Sequence, residues 1–151
     1  MSTPAVIQAF LDRNAQCFLD DDYEGLRDMV LLPLTMTTRA GTITYRTEGE
    51  LAADFDRYVA QLGLYMVTDI TREVLSVDTI NPQLVAARYS TEMWSGSRQV
   101  VEAYPSTAML HFTRGAWRAS LMIGAMGSQS WSGEDQRCDC NVVPFKLVRH
   151  A

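Results

Sequence analysis

The sequence predicts an α+β fold, a curved antiparallel sheet wrapped around helices near the N-terminus. Three observations carry that prediction. Apolar residues recur at helical spacing from Ile7 to Phe18. Two-residue alternation, interrupted by glycine-bearing turns, runs from Leu84 to Met126. Between these regions, Thr47-Glu48-Gly49-Glu50 has the form of a capping box and announces another helix. Helices and long strands are therefore segregated along the chain and do not alternate.

The first helix starts at Thr3-Pro4, where threonine can cap free N–H groups and proline suits the first helical position, and runs to about Asp20. Its apolar stripe is Ile7, Phe10, Leu11, Cys17 and Phe18, and Asn14 lies inside that stripe as a polar group aimed inward. Asp22 is placed to cap a second short helix, Tyr23 to Val30. Capping accounts for Asp20-Asp21-Asp22 better than metal binding does, because a hard cation needs several converging oxygens. Pro33 is expected to end this helix. A strand over Leu34 to Arg39, with Leu34, Met36 and Thr38 on one face, then turns at Ala40-Gly41 into Thr42 to Arg46. The third helix buries Leu51, Phe55, Tyr58, Val59 and Leu62 and stops at Gly63. Val67 to Ile80 returns to strand pattern, and Asn81-Pro82 turns the chain into the long hairpins.

In the first of these hairpin strands, Val85, Ala87, Tyr89, Thr91 and Met93 form the row expected to be buried. After the turn at Ser95-Gly96-Ser97, the inward row is Tyr104, Ser106, Ala108, Leu110 and Phe112, with a bend at Pro105. Arg114-Gly115-Ala116 leads into a last strand with Trp117, Ala119, Leu121 and Ile123 on one face. The outer rows keep Trp94, Met109, His111 and Met122, a strip apolar enough to predict a homodimer.

A formal charge of -5 with no Lys/Arg cluster argues against a nucleic-acid partner. No run is long enough for a membrane span, and the start lacks the pattern of a signal peptide, which predicts a cytoplasmic protein without a membrane partner. Three cysteines make a poor disulfide framework and fit a reducing compartment. Cys138-Asp139-Cys140 with His150 falls short of the four ligands of a closed zinc site. Residues 1–126 are expected to form the domain. Residues 127–151, turn-rich in GSQSWSGEDQRCDCN and apolar in VVPFKLV, are expected to be an appendage lying across the pocket mouth or along a partner subunit.

This order of elements, with the strand-turn-strand LHFTRGAWRASLM, resembles the nuclear transport factor 2-like (NTF2-like) superfamily, in particular its SnoaL-like branch. The resemblance covers about Thr3 to Met126 and implies a cone with a deep apolar pocket between helices and sheet, often in a dimer. The superfamily includes ketosteroid isomerase, scytalone dehydratase, polyketide cyclases and pure binding domains, so chemistry has to be carried over one residue at a time. Where ketosteroid isomerase has its carboxylate base, its tyrosine donor and its protonated aspartic acid, the corresponding positions here are Thr38, Asn14 and Leu110. The paired histidines of scytalone dehydratase have no counterpart, since His111 falls on an outer row and His150 near the end of the chain. Nor do the inward strand rows carry the acidic residue of the SnoaL-type cyclases; only a one-residue slip would bring Glu92 or Asp78 inward.

The resulting expectation is a pocket that binds a small hydrophobic molecule, ring-like or polyketide-like, without catalysis. The candidate ligand-binding residues are Asn14, Thr38, Tyr58, Tyr89, Ser106 and Leu110, with no catalytic residue, no metal and no cofactor. Such a pocket would hold no group titrating near neutrality. The alternatives are an isomerase, cyclase or dehydratase acting on a ring substrate without a cofactor, and a dimeric accessory subunit.

Overall fold

The structure, a computed structural model, describes residues 3–38 and 41–124. Helix α1 (Thr3–Leu19) and a single turn, α2 (Tyr23–Arg27), precede the hairpin β1 (Val30–Thr38) and β2 (Gly41–Tyr45). Helix α3 (Glu48–Leu64) leads into the meander β3 (Asp69–Asn81), β4 (Leu84–Ser95), β5 (Arg98–Thr113) and β6 (Ala116–Gly124). The fold is α+β, with the helices on one face of a curved six-stranded sheet of order β2-β1-β6-β5-β4-β3.

Local chemistry accounts for most of the boundaries. Asp22 caps α2 by accepting from the Gly25 N–H at 3.0 Å, and Gly25 has to be glycine, since a Cβ there would lie 2.4 Å from Asp22 Oδ2. Thr47 and Glu50 form the reciprocal capping box at α3. That helix runs through Gly63 to Leu64 and takes its C-cap at Tyr65, so Gly63 is not the stop. Arg114 and Gly115, at φ 50 and 78, make the two-residue turn between β5 and β6 with the twist a hairpin prefers. The other central link, Asn81 to Leu84, is tightened by the Gln83 N–H donating to Asn81 Oδ1 at 2.8 Å.

The buried row of β4 is the expected one: Val85, Ala87, Tyr89, Thr91 and Met93 are all at most 1% exposed. Ile7 and Leu11 of α1 pack on Val85, Ala87, Tyr89 and Leu110, while Cys17 and Phe55 join α1 to α3 over Leu26 and Met29. Pro105 pairs with Ser90 of β4, and the β4–β5 register breaks just beyond it, after Tyr104 and Thr91.

Four expectations are corrected. Helix α2 ends at Arg27, and β1 begins at Val30, with Pro33 inside the strand; the shift in register between Val30 and Thr35 gives proline a place where the ladder is already interrupted. The sheet is mixed, because β6 returns beside β1 and runs parallel to it. On β6, Leu110 pairs with Ala119 but Met109 pairs with Leu121, so Ser120 is an extra residue and the alternation changes sense there. Met122 consequently faces the cavity described below, and the outer strip loses it. Phe112, 41% exposed, lies past the core and meets Trp117 edge-on at 5.3 Å.

No helix among the described residues is long and apolar enough to cross a membrane. The expected appendage of residues 127–151, with Cys138, Cys140 and His150, lies outside the described residues, as do Arg39 and Ala40.

Candidate functional site

Between α1, α3 and the inner face of the sheet lies a cavity of about 110 Å³. One wall is aromatic. Phe18 stacks on Phe55 at 5.3 Å and meets Tyr58 at 4.7 Å, which fixes α1 against α3 and leaves ring faces toward the space between them. The opposite wall is Leu34 and Met36 of β1, with Ala108, Ala119 and Met122. The cavity reaches the surface where β1 and β6 end side by side, at Thr37, Thr38, Gly124 and Ile123, the last 44% exposed.

Polar groups gather toward β3, β4 and β5. Arg72, 7% exposed, donates from Nη1 to the Thr91 hydroxyl at 3.1 Å, and its guanidinium carbon lies 5.8 Å from the centre of the Tyr89 ring. The Tyr58 and Tyr89 hydroxyls lie near Arg72, Tyr89 near Ser106 and Tyr104 near Thr91. Burial raises the pKa of all three tyrosines, Tyr104 most strongly, so each stays a protonated hydroxyl through neutral pH. Burial works against the charge of Arg72, yet the net direction of its pKa is upward, and a guanidinium keeps its proton throughout the ordinary pH range. The guanidinium is therefore a permanent buried cation.

Of the six residues singled out from the sequence, Asn14, Tyr58, Tyr89 and Ser106 line the cavity, and Thr38 stands at its opening. Leu110 does not reach it. Its row passes from Ser106 and Ala108 in the lining to a fully buried place under Ile7, so Leu110 belongs to the core below α1.

Two charged residues of the lining were missed. Asp54 is 8% exposed on the buried side of α3, three residues after Leu51 and four before Tyr58. Arg72 follows Ile70 by two on β3, on the same inward row. Helical and strand periodicity pointed at both. They were overlooked because the apolar stripe was read without the charged residues embedded in it. Among the described residues the strand rows bring no Asp or Glu inward, but α3 brings Asp54, so the lining does hold a carboxyl group. Glu92 stays on the outer face, accepting from Gln99 Nε2 at 2.7 Å, and His111 pairs there with the Ser120 hydroxyl at 2.6 Å.

Solved structures share the fold. A domain of unknown function with a cystatin-like fold from Nostoc punctiforme superposes with a TM-score of 0.63 at 14% identity, covering 83% of this chain and 78% of that one. An NTF2-like protein from Cytophaga hutchinsonii gives 0.61 at 12% identity, covering 83% and 98%. The fold is NTF2-like. A ketosteroid isomerase-like protein from Erwinia carotovora atroseptica shares the NTF2-like architecture at a TM-score of 0.57 and 18% identity, covering 81% and 94%. At such identities the likeness extends to the fold alone. No family model and no curated protein matches the chain.

Proposed function

We propose that this chain is a SnoaL-like cytoplasmic protein that binds a small, largely apolar ring compound in the cavity and does no chemistry on it. The carrying observation is the form of the lining: apolar and aromatic side chains over most of its extent, with Asn14, Tyr58, Tyr89, Ser106 and Arg72 converging on it. That is how sites for small organic molecules are built, with apolar surface supplying affinity and a few polar groups fixing orientation. A dry apolar cavity of about 150 Å³ takes up benzene, so a cavity of about 110 Å³ takes at most one ring, with any further part of the ligand lying past the paired ends of β1 and β6. Native mass spectrometry of freshly purified protein tests this. A retained adduct that is lost on denaturation is the expected result, and a bare chain whose melting is unmoved by a panel of single-ring compounds would overturn it.

One observation favours an enzyme instead: Asp54 puts a carboxyl group in the lining, where it could take a proton from a bound ring ketone. Deuterium exchange next to the carbonyl of cyclohexenone, followed with wild type and Asp54→Asn, separates the readings. Exchange above buffer that Asp54→Asn abolishes would establish the enzyme; the binding reading expects none from either protein.

A further inference from the structure

The cavity's polar groups do not match a wholly neutral ligand. Arg72 lines the cavity at 7% exposure, yet no carboxylate among the described residues pairs with it; the ion pairs found there are those of Arg27 with Asp28 and Glu48 on the surface. The groups around its guanidinium are neutral: the Thr91 hydroxyl, the Tyr58 and Tyr89 hydroxyls and the Tyr89 ring. Among the described residues its Nε–H has no acceptor. Asn14, 6% exposed on α1, also lines the cavity, and among the described residues its Oδ1 has no donor. Two polar side chains on different elements, each more than nine-tenths buried, thus leave hydrogen-bonding capacity unused in one cavity. A buried cation without an anion is costly, and so is each unmet polar atom.

We propose that the ligand is a ring-sized monoacid whose carboxylate is held by the guanidinium of Arg72, with Asn14 available to a neighbouring donor on the same molecule; this rests on the pocket reading above and adds the ligand's charge to it. A carboxylate fits the planar donors of arginine, and the aromatic wall fits the ring. Among the described residues one cation faces the ligand, and the same lining holds Asp54, so a doubly charged phosphate would meet too few donors and a repelling carboxyl. The acid group belongs at the Arg72, Tyr89 and Tyr104 end, and the ring along Phe18, Phe55 and Met122 toward the opening.

The test is calorimetric titration of the full chain with benzoate and with benzamide, which has nearly the same shape and no charge. Wild type should bind benzoate about tenfold more tightly, the scale of a charged hydrogen bond. Arg72→Met should bring the two toward parity, and Asp54→Asn should widen the preference for benzoate. Because the first comparison uses only wild type, it stands whether or not a variant folds. Equal binding, or tighter binding of benzamide, would overturn the acid and leave the pocket reading standing. Binding of neither would overturn both.

Discussion

Arg72 and Thr91 face each other across the β3–β4 pair, and the guanidinium donates to the threonine hydroxyl at 3.1 Å from a position where both side chains are buried. Thr91 is fully enclosed, so its hydroxyl has no water to fall back on. Thr91→Val, which keeps the shape and removes the acceptor, should destabilise the fold by about 1–3 kcal/mol. In an Arg72→Met background the same change should cost far less, and urea unfolding of the four proteins measures that coupling. Equal costs in both backgrounds would mean that the two side chains are neighbours without an energetic link.

The edge strand β3 is held by a side chain. Gln8 of α1 donates from Nε2 to the Arg72 carbonyl at 2.6 Å and accepts the Val74 N–H on Oε1 at 2.9 Å, taking the place of a neighbouring strand. Gln8→Leu should leave both backbone groups unpaired and speed hydrogen exchange at the Val74 amide, with a loss of about 1–3 kcal/mol. Unchanged protection at Val74 would show that the clamp contributes nothing.

At the start of α3 the Glu50 carboxylate has its pKa lowered, first by the Arg46 backbone N–H, against an opposing effect of burial, and then by the Thr47 hydroxyl and N–H. A depressed folded pKa means stability that is present above the unfolded value of about 4.3 and lost as the pH falls through the folded one. The difference in melting temperature between wild type and Glu50→Gln should therefore be constant through neutral pH and shrink in acid. A difference that persists in strong acid would assign the effect to the helix cap's geometry and not to its charge.

Much of this arrangement could be read from the chain. The Val85 to Met93 row, the Thr47–Glu50 box and the inward aim of Asn14 each follow from a short-range rule, periodicity or capping, that the rest of the fold does not oppose. What the sequence hid was of two kinds. The parallel contact of β1 with β6 and the extra residue at Ser120 depend on which strands become neighbours, a long-range outcome that no local pattern records. Asp54 and Arg72 obeyed the periodicity, but a charged residue on a buried stripe is expensive by itself. Only the folded site, with tyrosines around Arg72, shows what makes it tolerable.

Association is proposed through the outer face of β4, β5 and β6. With Met122 turned inward, the apolar part of that face is Trp94, Met109 and Leu121, the last two paired across β5 and β6. Sedimentation at micromolar concentration should show a dimer that Met109→Glu dissociates. Met122→Glu should leave the dimer intact and weaken binding in the cavity. A monomeric wild type would remove this interface, and dissociation by Met122→Glu with no effect on binding would place that methionine outside.

The most direct measurement of the central claim, a ring-binding cavity between α1, α3 and the sheet, is a two-dimensional NMR titration of labelled protein with benzoate and with benzamide. Saturable shifts are predicted at Asn14, Asp54, Tyr89 and Ser106, with ring-proton contacts to the methyl groups of Ala108 and Met122, for at least one of the two compounds. Shifts confined to the outer face around Met109 and Leu121, or none at saturating concentrations of either, would contradict it.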